Sequence, residues 1–189
     1  MFHTPSITKT LEQAKAMGKD IIVYSSKGEK EKELEDLEVA IKEAISRYKI
    51  EGLVSGALAS DYQASRIKKI CDKLNLKSIN PLWKKNPDEY WDDLIKDNFE
   101  VMVIGVASQG LGKEWLGKII DNEALEKLKK ESKKHLFHIG FEGGEAETFV
   151  LDCPLFKRKL KVVKGKVHWN EKDKTGIYEI EELKLIEKP

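Results

Sequence analysis

Short apolar runs alternate with amphipathic segments over the first two-thirds of this chain, and this alternation limits the fold more than any other feature. Ile21-Ile22-Val23-Tyr24 is one such run, and Gly52 to Leu58 and Phe99 to Ala107 are two others. Continuous apolar runs are typical of strands covered on both faces, and helices placed between such strands imply βαβ units. The sequence therefore predicts an α/β fold with a parallel sheet.

The segments between these runs have the periodicity and end signals of helices. Leu34 to Tyr48 has apolar residues at spacings of three and four, with charged residues between them. Ser60 with Gln63 three residues later predicts a capping box at the start of a second helix. Asn86-Pro87 predicts the start of a third, because proline at the first helical turn loses no hydrogen bond. A fourth helix is expected to end near Lys134.

The last third of the chain has a different pattern. Phe149-Val150-Leu151 and the region from Leu160 to Ile186 contain short runs typical of strands. Turns are expected at Lys164-Gly165 and Lys174-Thr175-Gly176. Strands joined by short turns predict a small antiparallel unit after the parallel one.

Composition excludes several classes of protein. The 189 residues carry a net charge of +1, so no global basic field favours nucleic acid as a direct partner. The chain contains no run of about 18 apolar residues, so its sequence predicts no membrane span. Cys71 and Cys153 are too few for a disulfide framework, which favours a reducing compartment. We therefore expect a cytoplasmic protein without a membrane partner.

The segment Glu142-Gly143-Gly144-Glu145-Ala146-Glu147 is the strongest candidate for a functional site. Three carboxylates surround a glycine pair, and Thr148 and an apolar strand follow directly. Like charges this close repel one another, so a loop that served only to turn the chain would gain nothing from them. The alternative is a hairpin turn whose acids point into water, and the composition leaves both interpretations open.

A second candidate follows the predicted strand at Gly52 to Leu58. Gly56 to Arg66 leaves the carboxyl end of that strand and enters a helix, which is where open α/β sheets bind ligands. The helix N-terminus offers N–H groups to an anion, and Arg66 lies one turn beyond Tyr62 on the same face. The alternative is an ordinary helix start, with Tyr62 packed and Arg66 in water.

Other chemistry-bearing residues carry no clear pattern. The chain has no Walker phosphate loop and no Gly-x-Gly-x-x-Gly fingerprint. Cys153 has no base beside it and is interpreted as a packed residue. We predict no metal site, because the histidines lack the spacing of metal ligands. They are His3, His135, His138 and His168.

Taken in order, several segments resemble the diphthine–ammonia ligase (diphthamide synthetase) family of PP-loop ATP pyrophosphatases, and the similarity spans nearly the whole chain. The acidic glycine segment together with the Ser-Asp-Tyr-Gln helix start is the most specific part. The matching segments are Phe2-His3-Thr4-Pro5, Gly56-Ala57-Leu58-Ala59-Ser60-Asp61-Tyr62-Gln63 with Arg66, Pro81-Leu82-Trp83, Gly110-Leu111 with Trp115-Leu116-Gly117-Lys118, Glu142 to Phe149, and Trp169 with Ile177 to Leu183.

The resemblance implies a particular fold and division of the chain. Residues 1–110 would be part of a Rossmann-like, adenine nucleotide alpha-hydrolase-like (HUP, PP-loop) domain with a parallel sheet. Residues 111–189 would be a small α+β C-terminal substrate-binding domain with antiparallel strands.

The resemblance also implies an AMP-forming carbon–nitrogen ligase. ATP, with magnesium, would adenylate the diphthine carboxyl group on translation elongation factor 2, and ammonium would then displace AMP to give diphthamide, the last step of diphthamide biosynthesis. The catalytic residues that bind or deprotonate the amine would be Glu142, Glu145 and Glu147. The residues lining the nucleotide and diphthine cleft would be Gly56, Ser60, Tyr62, Gln63, Arg66, Gly143, Gly144 and Thr148.

The chain departs from the family in two ways. Phe141 and Ala146 stand where members often carry glycine and an aromatic residue. The family's Ser-Gly-Gly-Lys-Asp-Ser phosphate loop is also missing from this sequence, so Met1 is expected to be an internal methionine. The 189 residues alone are then expected to hydrolyse no ATP. The alternatives are an inactive substrate- or nucleotide-binding fragment, or another PP-loop ATPase such as a transfer-RNA modifying enzyme. Homo-oligomerisation is left open.

Overall fold

The computed structural model of the protein describes residues 6–26 and 31–188. These residues form two compact units. The first extends from residue 21 to residue 85, and the second combines residues 6–20 with residues 86–188.

Helices and strands alternate through the first unit and into the second. The helices are α1 (Thr10–Met17), α2 (Glu33–Tyr48), α3 (Asp61–Lys73), α4 (Pro87–Lys96) and α5 (Asn122–His135), with short 3-10 helices at Ile7–Lys9 and Lys113–Trp115. The strands are β1 (Gly52–Val54), β2 (Lys77–Ile79), β3 (Glu100–Val106), β4 (Ala146–Asp152), β5 (Lys159–Asn170) and β6 (Thr175–Ile186).

The first unit contains a two-stranded parallel sheet with α3 as the crossover between its strands. β1 and β2 pair from Gly52 opposite Lys77 to Val54 opposite Ile79. Parallel neighbours need a long connection, and a helix of this length supplies it. The predicted parallel pairing across a helix is confirmed for β1, although its partner β2 was not among the three apolar runs.

Helix α3 begins where the sequence predicted. Ser60 has an extended backbone, and its Oγ accepts a hydrogen bond of 3.3 Å from the Gln63 N–H. This bond satisfies one of the first N–H groups of the helix, which have no partner within it. The inner face of the helix buries Ile67, Ile70 and Cys71.

The prediction of a strand at Ile21-Ile22-Val23-Tyr24 is wrong. These residues belong to no strand, and Val23 is 68% exposed. A strand needs a hydrogen-bonded neighbour, and no strand within residues 6–26 or 31–188 pairs with this segment. Apolar character alone therefore does not make it a strand here.

Strand β3 is the buried centre of an antiparallel sheet in the second unit. Val101, Val103 and Val106 pack into one hydrophobic cluster, whereas Met102 and Ile104 pack into the other. The prediction that this run joins the parallel sheet is wrong, because β3 pairs antiparallel with β4 and β6. A continuous apolar run indicates that both faces are covered, but it does not indicate strand direction.

The strand order of this sheet is β4-β3-β6-β5, with every pair antiparallel. β5 and β6 form a long hairpin that pairs from Lys159 opposite Ile186 to Asn170 opposite Thr175. β6 then pairs with β3 at Gly105 opposite Ile177. The predicted antiparallel character of the last third is confirmed.

The turn predicted at Lys164-Gly165 is wrong. β5 continues through both residues, and the pairing with β6 shifts register there. Such a β-bulge inserts an extra residue without ending the strand, so a lysine–glycine pair can mimic a turn signal. The chain reverses instead at residues 171–174.

Two further helices of the second unit confirm their sequence signals. The Asn86 Oδ1 accepts a hydrogen bond of 2.8 Å from the Asp88 N–H, so asparagine caps α4 as expected. α5 ends at His135, one residue beyond the predicted end, and it buries Leu125 and Leu128.

The two units do not coincide with the predicted domains 1–110 and 111–189, which remain a prediction. The units separate between residues 85 and 86, and β3 belongs to the second of them because its hydrogen-bonding partners β4 and β6 lie there. None of the helices in the described part of the chain is both long and apolar enough to span a membrane.

Two leucines, one inside α5 and one directly after it, provide a test of the core packing. Leu128 is fully buried and Leu136 is 90% exposed. Leu128→Ala is expected to lower the free energy of unfolding by about 2–5 kcal/mol, because it leaves a cavity in the core. Leu136→Ala is the matched control and should change it by no more than about 0.5 kcal/mol. Denaturant unfolding of both variants measures the difference, and equal effects would contradict this description of the core.

Candidate functional site

A cleft of about 490 Å³ opens at one end of the antiparallel sheet, within the second unit. β3 ends there, β4 and β6 begin there, and β5 ends opposite the start of β6. Most of its lining residues are small, which leaves room between the strand ends. The lining residues are Gly105, Val106, Ala107, Gly144, Ala146, Glu147, His168, Trp169, Asn170, Thr175, Gly176 and Ile177.

Glu147 is the predicted catalytic residue that lines this cleft. It lies on β4 opposite Gly105 of β3. A Cβ at position 105 would lie 3.2 Å from the Cβ of Glu147, closer than most real contacts between side chains. Glycine at 105 therefore leaves space for the Glu147 stem. Thr148, the next residue, lies opposite Val103 and is not one of the lining residues.

The carboxylate of Glu145 holds the acidic loop in shape. It accepts hydrogen bonds from the backbone N–H of Gly143 (2.9 Å) and of His138 (3.0 Å). Gly144, which lies between Gly143 and Glu145, has a φ of +82°, a conformation that side-chain-bearing residues rarely adopt. The loop is thus a folded turn in which Glu145 joins two chain segments and Gly144 supplies the required backbone.

Phe141 precedes this loop in a left-handed conformation, with φ +60°. Its ring packs edge-on against Trp91 of α4 at a centroid distance of 5.9 Å. The Trp91 indole N–H donates a hydrogen bond of 2.8 Å to the Ile139 carbonyl. Glycine at this position would adopt the same backbone without strain, so phenylalanine here gains the contact with Trp91 at a cost in backbone freedom.

Glu142 affects the titration of a neighbouring tyrosine. Burial raises the pKa of the Tyr90 hydroxyl, and the negative charge of Glu142 raises it further. Both effects favour the neutral phenol over the phenolate. The acidic loop therefore acts on α4 through its charge as well as through the Phe141 ring.

Trp169 forms an aromatic wall of the cleft. A Cβ at position 176 would lie 2.7 Å from its Cε3, so the indole packs against the backbone of Gly176. Glu171 accepts a hydrogen bond of 2.8 Å from Lys174. That bond, together with a hydrogen bond from the Trp169 side chain, holds the pKa of the Glu171 carboxyl below its usual range. The indole is thus held at both its ring and its N–H.

His168 lines the cleft beside Trp169, and its Nε2 lies 2.7 Å from a carboxylate oxygen of Glu179. Sequence reasoning treated this histidine as scattered, and it gave Trp169 as part of a family-matching segment without a role in a site. Both residues precede the charged turn at residues 171–174, and this turn was the one feature of the sequence that marked their position. The pairing of β6 with β3 brings the ends of β5 and β6 to the cleft that Glu147 also lines.

The predicted nucleotide residues of the first unit gather around the start of α3. The Arg66 guanidinium carbon lies 3.4 Å from the centroid of the Tyr62 ring, so the prediction that they share a face is confirmed. Glu31 accepts hydrogen bonds from the Tyr62 hydroxyl (2.9 Å) and from Arg66 Nε (3.0 Å). These bonds raise the pKa of both groups. Glu31 was missed because it lies 31 residues before Tyr62.

Gly56 is exposed before this helix start, and a Cβ at this position would meet nothing within 4 Å. Ser60 and Gln63 share the hydrogen bond that begins α3. The matching segment Phe2-His3-Thr4-Pro5 lies outside the described residues. Within residues 6–26 and 31–188, no group of three or more His, Cys, Asp or Glu side chains could hold a metal ion.

The fold and site define a mixed α/β protein with one parallel and one antiparallel sheet, in which the antiparallel unit carries an acidic cleft with an aromatic wall. The chain belongs to the diphthamide synthase family. Its model of the diphthamide synthase N-terminal domain matches residues 1–78, and its model of the C-terminal domain matches residues 86–186. The C-terminal match begins at residue 86, which is also the first residue of the second unit after the first unit ends.

Several relatives share this similarity. The diphthine–ammonia ligase of Homo sapiens is 40% identical over 136 residues, which cover 71% of this chain and 51% of the relative. The diphthine–ammonia ligase of Rattus norvegicus is 42% identical over 131 residues, or 69% of this chain and 49% of the relative. The diphthine–ammonia ligase of Schizosaccharomyces pombe is 39% identical over 129 residues, which cover 68% of this chain and 21% of the relative. The chain spans about half the length of the animal relatives it matches.

The hydrogen bonds of Glu145 predict a structural cost for its removal. Glu145→Ala is expected to lower the free energy of unfolding by about 1–3 kcal/mol, because two backbone N–H groups lose a charged acceptor. Glu145→Gln keeps one carbonyl oxygen and should fall between this variant and the parent. Glu187→Ala removes an exposed glutamate and serves as the control, with a change within about 0.5 kcal/mol. The measurement is denaturant unfolding, and equal free energies of unfolding for Glu145→Ala and Glu187→Ala would contradict this role.

The raised pKa of Tyr90 predicts a pH dependence of stability. Between its ordinary pKa near 10 and the higher folded value, the folded state holds a proton that the unfolded state has lost. The free energy of unfolding therefore falls as pH rises through this window. The free energy of unfolding of Tyr90→Phe is expected to fall less steeply with pH above about pH 10. The slope for Glu142→Gln should lie between those of Tyr90→Phe and the parent. Unfolding curves at a series of alkaline pH values provide the measurement, and identical slopes would contradict the assignment.

Proposed function

We propose that this protein acts in the ATP-dependent amidation of diphthine on translation elongation factor 2, the last step of diphthamide biosynthesis. The observation that carries the proposal is that both domain models of the family match, over residues 1–78 and 86–186. The names of the relatives in Homo sapiens and Rattus norvegicus, diphthine–ammonia ligase, support it. The acidic cleft supplies residues suited to a cationic substrate. The cytoplasm, where this factor works, is the proposed location.

The reaction needs activation because a carboxylate is a poor electrophile. Transfer of an adenylyl group from ATP to the diphthine carboxylate releases pyrophosphate and gives a mixed anhydride. Ammonia then attacks the carbonyl carbon, AMP leaves with the electron pair of the broken C–O bond, and the amide of diphthamide remains. Ammonium must lose a proton before it can attack, so the site needs a base near the acyl carbon.

The acidic loop supports the amine-handling part of this reaction. We assign the cleft carboxylate of Glu147, with Glu142 on the neighbouring turn, to binding ammonium and accepting its proton. Glu145 contributes by keeping Gly143 and Gly144 in the observed turn. It is therefore a positioning residue, although it was predicted as one of three catalytic acids.

The start of α3 supports the nucleotide part. Ser60, Tyr62, Gln63 and Arg66, with Gly56 before them, are proposed to bind ATP or the acyl adenylate. The stacked Tyr62 ring and Arg66 guanidinium offer a π surface beside a fixed positive charge. The parallel β1–α3–β2 arrangement also suits the proposed nucleotide-binding fold. No cluster of side chains in the described ranges fits magnesium, and no residue is assigned to that ion.

A binding role without ligation is the second candidate function. It is favoured by the bonds of Tyr62 and Arg66 to Glu31, which engage two of the residues proposed to bind the nucleotide. In that case the protein would recognise the diphthine-bearing factor while another polypeptide supplied the adenylating chemistry.

Deletion of the gene in the organism that carries it tests the ligase proposal. Diphthine on elongation factor 2 is expected to remain a carboxylate, which mass spectrometry of the modified peptide detects. Restoring the gene should restore the amide, whereas a gene encoding Glu147→Gln should lower the amidation rate about 100-fold or more, as loss of a general base does. A gene encoding Glu187→Gln should restore it fully. Complete amidation in the deletion strain would overturn the proposal.

A further inference from the structure

Strand β5 forms an open edge of the antiparallel sheet. It is 12 residues long, from Lys159 to Asn170, whereas strands in globular proteins commonly have about 5–6 residues. Among the described residues, β6 is the one strand that hydrogen-bonds to it. A strand with a neighbour on one side directs part of its backbone N–H and C=O groups away from that neighbour. The edge therefore offers hydrogen bonds to a further strand.

The basic residues of β5 share one face of the hairpin. Side chains alternate between the two faces of a strand, but the β-bulge between Val162 and Lys164 adds one residue. The bulge therefore keeps the basic residues before and after it on the same face. These residues are Lys161, Lys164, Lys166 and His168, and all four are exposed. No acidic residue occurs in β5.

The neighbouring strand shows which charge pairs with this row. In β6, Glu182 lies opposite Lys164 and Glu179 lies opposite Lys166. Lys164 also forms an ion pair of 2.6 Å with Glu181. Opposite charges on neighbouring strands stabilise a sheet, whereas like charges directly opposite each other destabilise it. The row is thus acidic on its β6 side, and a strand added on its other side would gain most from acidic residues.

This charge pattern disfavours a second copy of the chain as the partner. Two β5 edges paired with each other would bring their lysine rows side by side. Lys161 already lies opposite Lys184 of β6, so this end of the hairpin carries two like charges. Lysines on edge strands commonly prevent self-pairing of this kind. The same lysines attract an extended segment of opposite charge, so they select a partner as well as excluding one.

The other face of β5 sets a second requirement on the partner. Val167 and Trp169 lie on the core side, where they pack against the buried cluster that contains Trp115 and Ala146. Both are only partly buried. A strand added at the edge alternates its side chains in the same way, so its apolar residues would cover Val167 and Trp169 while its acids meet the lysines.

We propose that residues 164–170 of β5 bind an extended peptide segment with alternating acidic and apolar residues, which adds a strand to the edge of the four-stranded sheet. Backbone hydrogen bonds give this segment affinity, and the row of Lys164, Lys166 and His168 selects its acidic side chains. RNA would meet the lysines but would leave the backbone groups of the edge unpaired, so a peptide fits better. The inference does not depend on the proposed reaction, because none of the residues assigned to that reaction lies in β5.

A peptide series tests the requirement for both charge and strand. The probe is Glu-Val-Glu-Thr-Glu-Val-Glu with a fluorescent label, and anisotropy at low ionic strength measures its binding. It is expected to bind at least about tenfold more tightly than the same peptide with glutamine in place of glutamate. A peptide with proline in place of valine and threonine keeps the carboxylates but loses strand hydrogen bonds, so it should also bind at least about tenfold more weakly. Binding of either control as tight as that of the probe would overturn the inference.

Variants and amide exchange locate the binding. Lys164→Gln combined with Lys166→Gln is expected to weaken binding of the acidic peptide at least about tenfold. Lys130→Gln combined with Lys133→Gln, which changes two exposed lysines of α5, is the matched control and should leave binding unchanged. In NMR, amide protons of residues 164–170 that are not bonded to β6 should exchange with solvent at least about tenfold more slowly when the peptide is bound. Unchanged exchange there, or full binding by the β5 variant, would overturn the inference.

Two further measurements test the other occupants of this edge. Heptauridylate is expected to bind more weakly than the acidic peptide, and sedimentation equilibrium is expected to show no dimer formed through β5. RNA that binds as tightly as the peptide, and more weakly to the β5 variant, would assign the edge to nucleic acid. A dimer of the parent chain with amide protection at residues 164–170 would assign it to a second copy. Either result would overturn the peptide site.

Discussion

Strand β3 is hydrogen-bonded on both edges and packed on both faces, and the candidate site depends on this double burial. Its residues from Val101 to Val106 are all buried, alternating between two hydrophobic clusters. β4 on one side brings Glu147, and β6 on the other brings the reversal that follows Trp169. Because β3 is bonded to β4 along its length and to β6 at Gly105 and Val106, the strand ends around the cleft cannot move apart without breaking these hydrogen bonds.

The acidic loop meets two different requirements. A carboxylate that accepts a proton needs access to its substrate, whereas a carboxylate that holds a turn is committed to backbone N–H groups. In this structure one carboxylate shapes the turn and another lines the cleft. Glu145 binds backbone N–H groups and shapes the turn, which leaves Glu147 at the lining. The three acids that look equivalent in sequence therefore differ in position and in the roles proposed for them.

Local signals in the sequence predicted local structure well. The caps at Ser60 and Asn86, the span of α5 and the stacking partners Tyr62 and Arg66 each depend on residues within a few positions of one another. Long-range pairing was not predictable in the same way. The direction of β3 and the position of Trp169 in the cleft that Glu147 also lines depend on strands far apart in the chain. The continuity of β5 through Gly165 depends on its pairing with β6, which residue types at the predicted turn do not reveal. Glu31 was missed for the same reason.

The contact between β3 and β6 also bears on how the protein folds. Gly105 and Val106 pair with Ile177 and Gly176, about seventy positions further along the chain. Closing so long a loop costs entropy that the short contacts of the β5–β6 hairpin do not. The hairpin and the β3–β4 pair can form early and separately, and the cleft exists only after they join. An incompletely folded chain would therefore have native-like strands and no binding site, so ligand binding reports on the last step of folding.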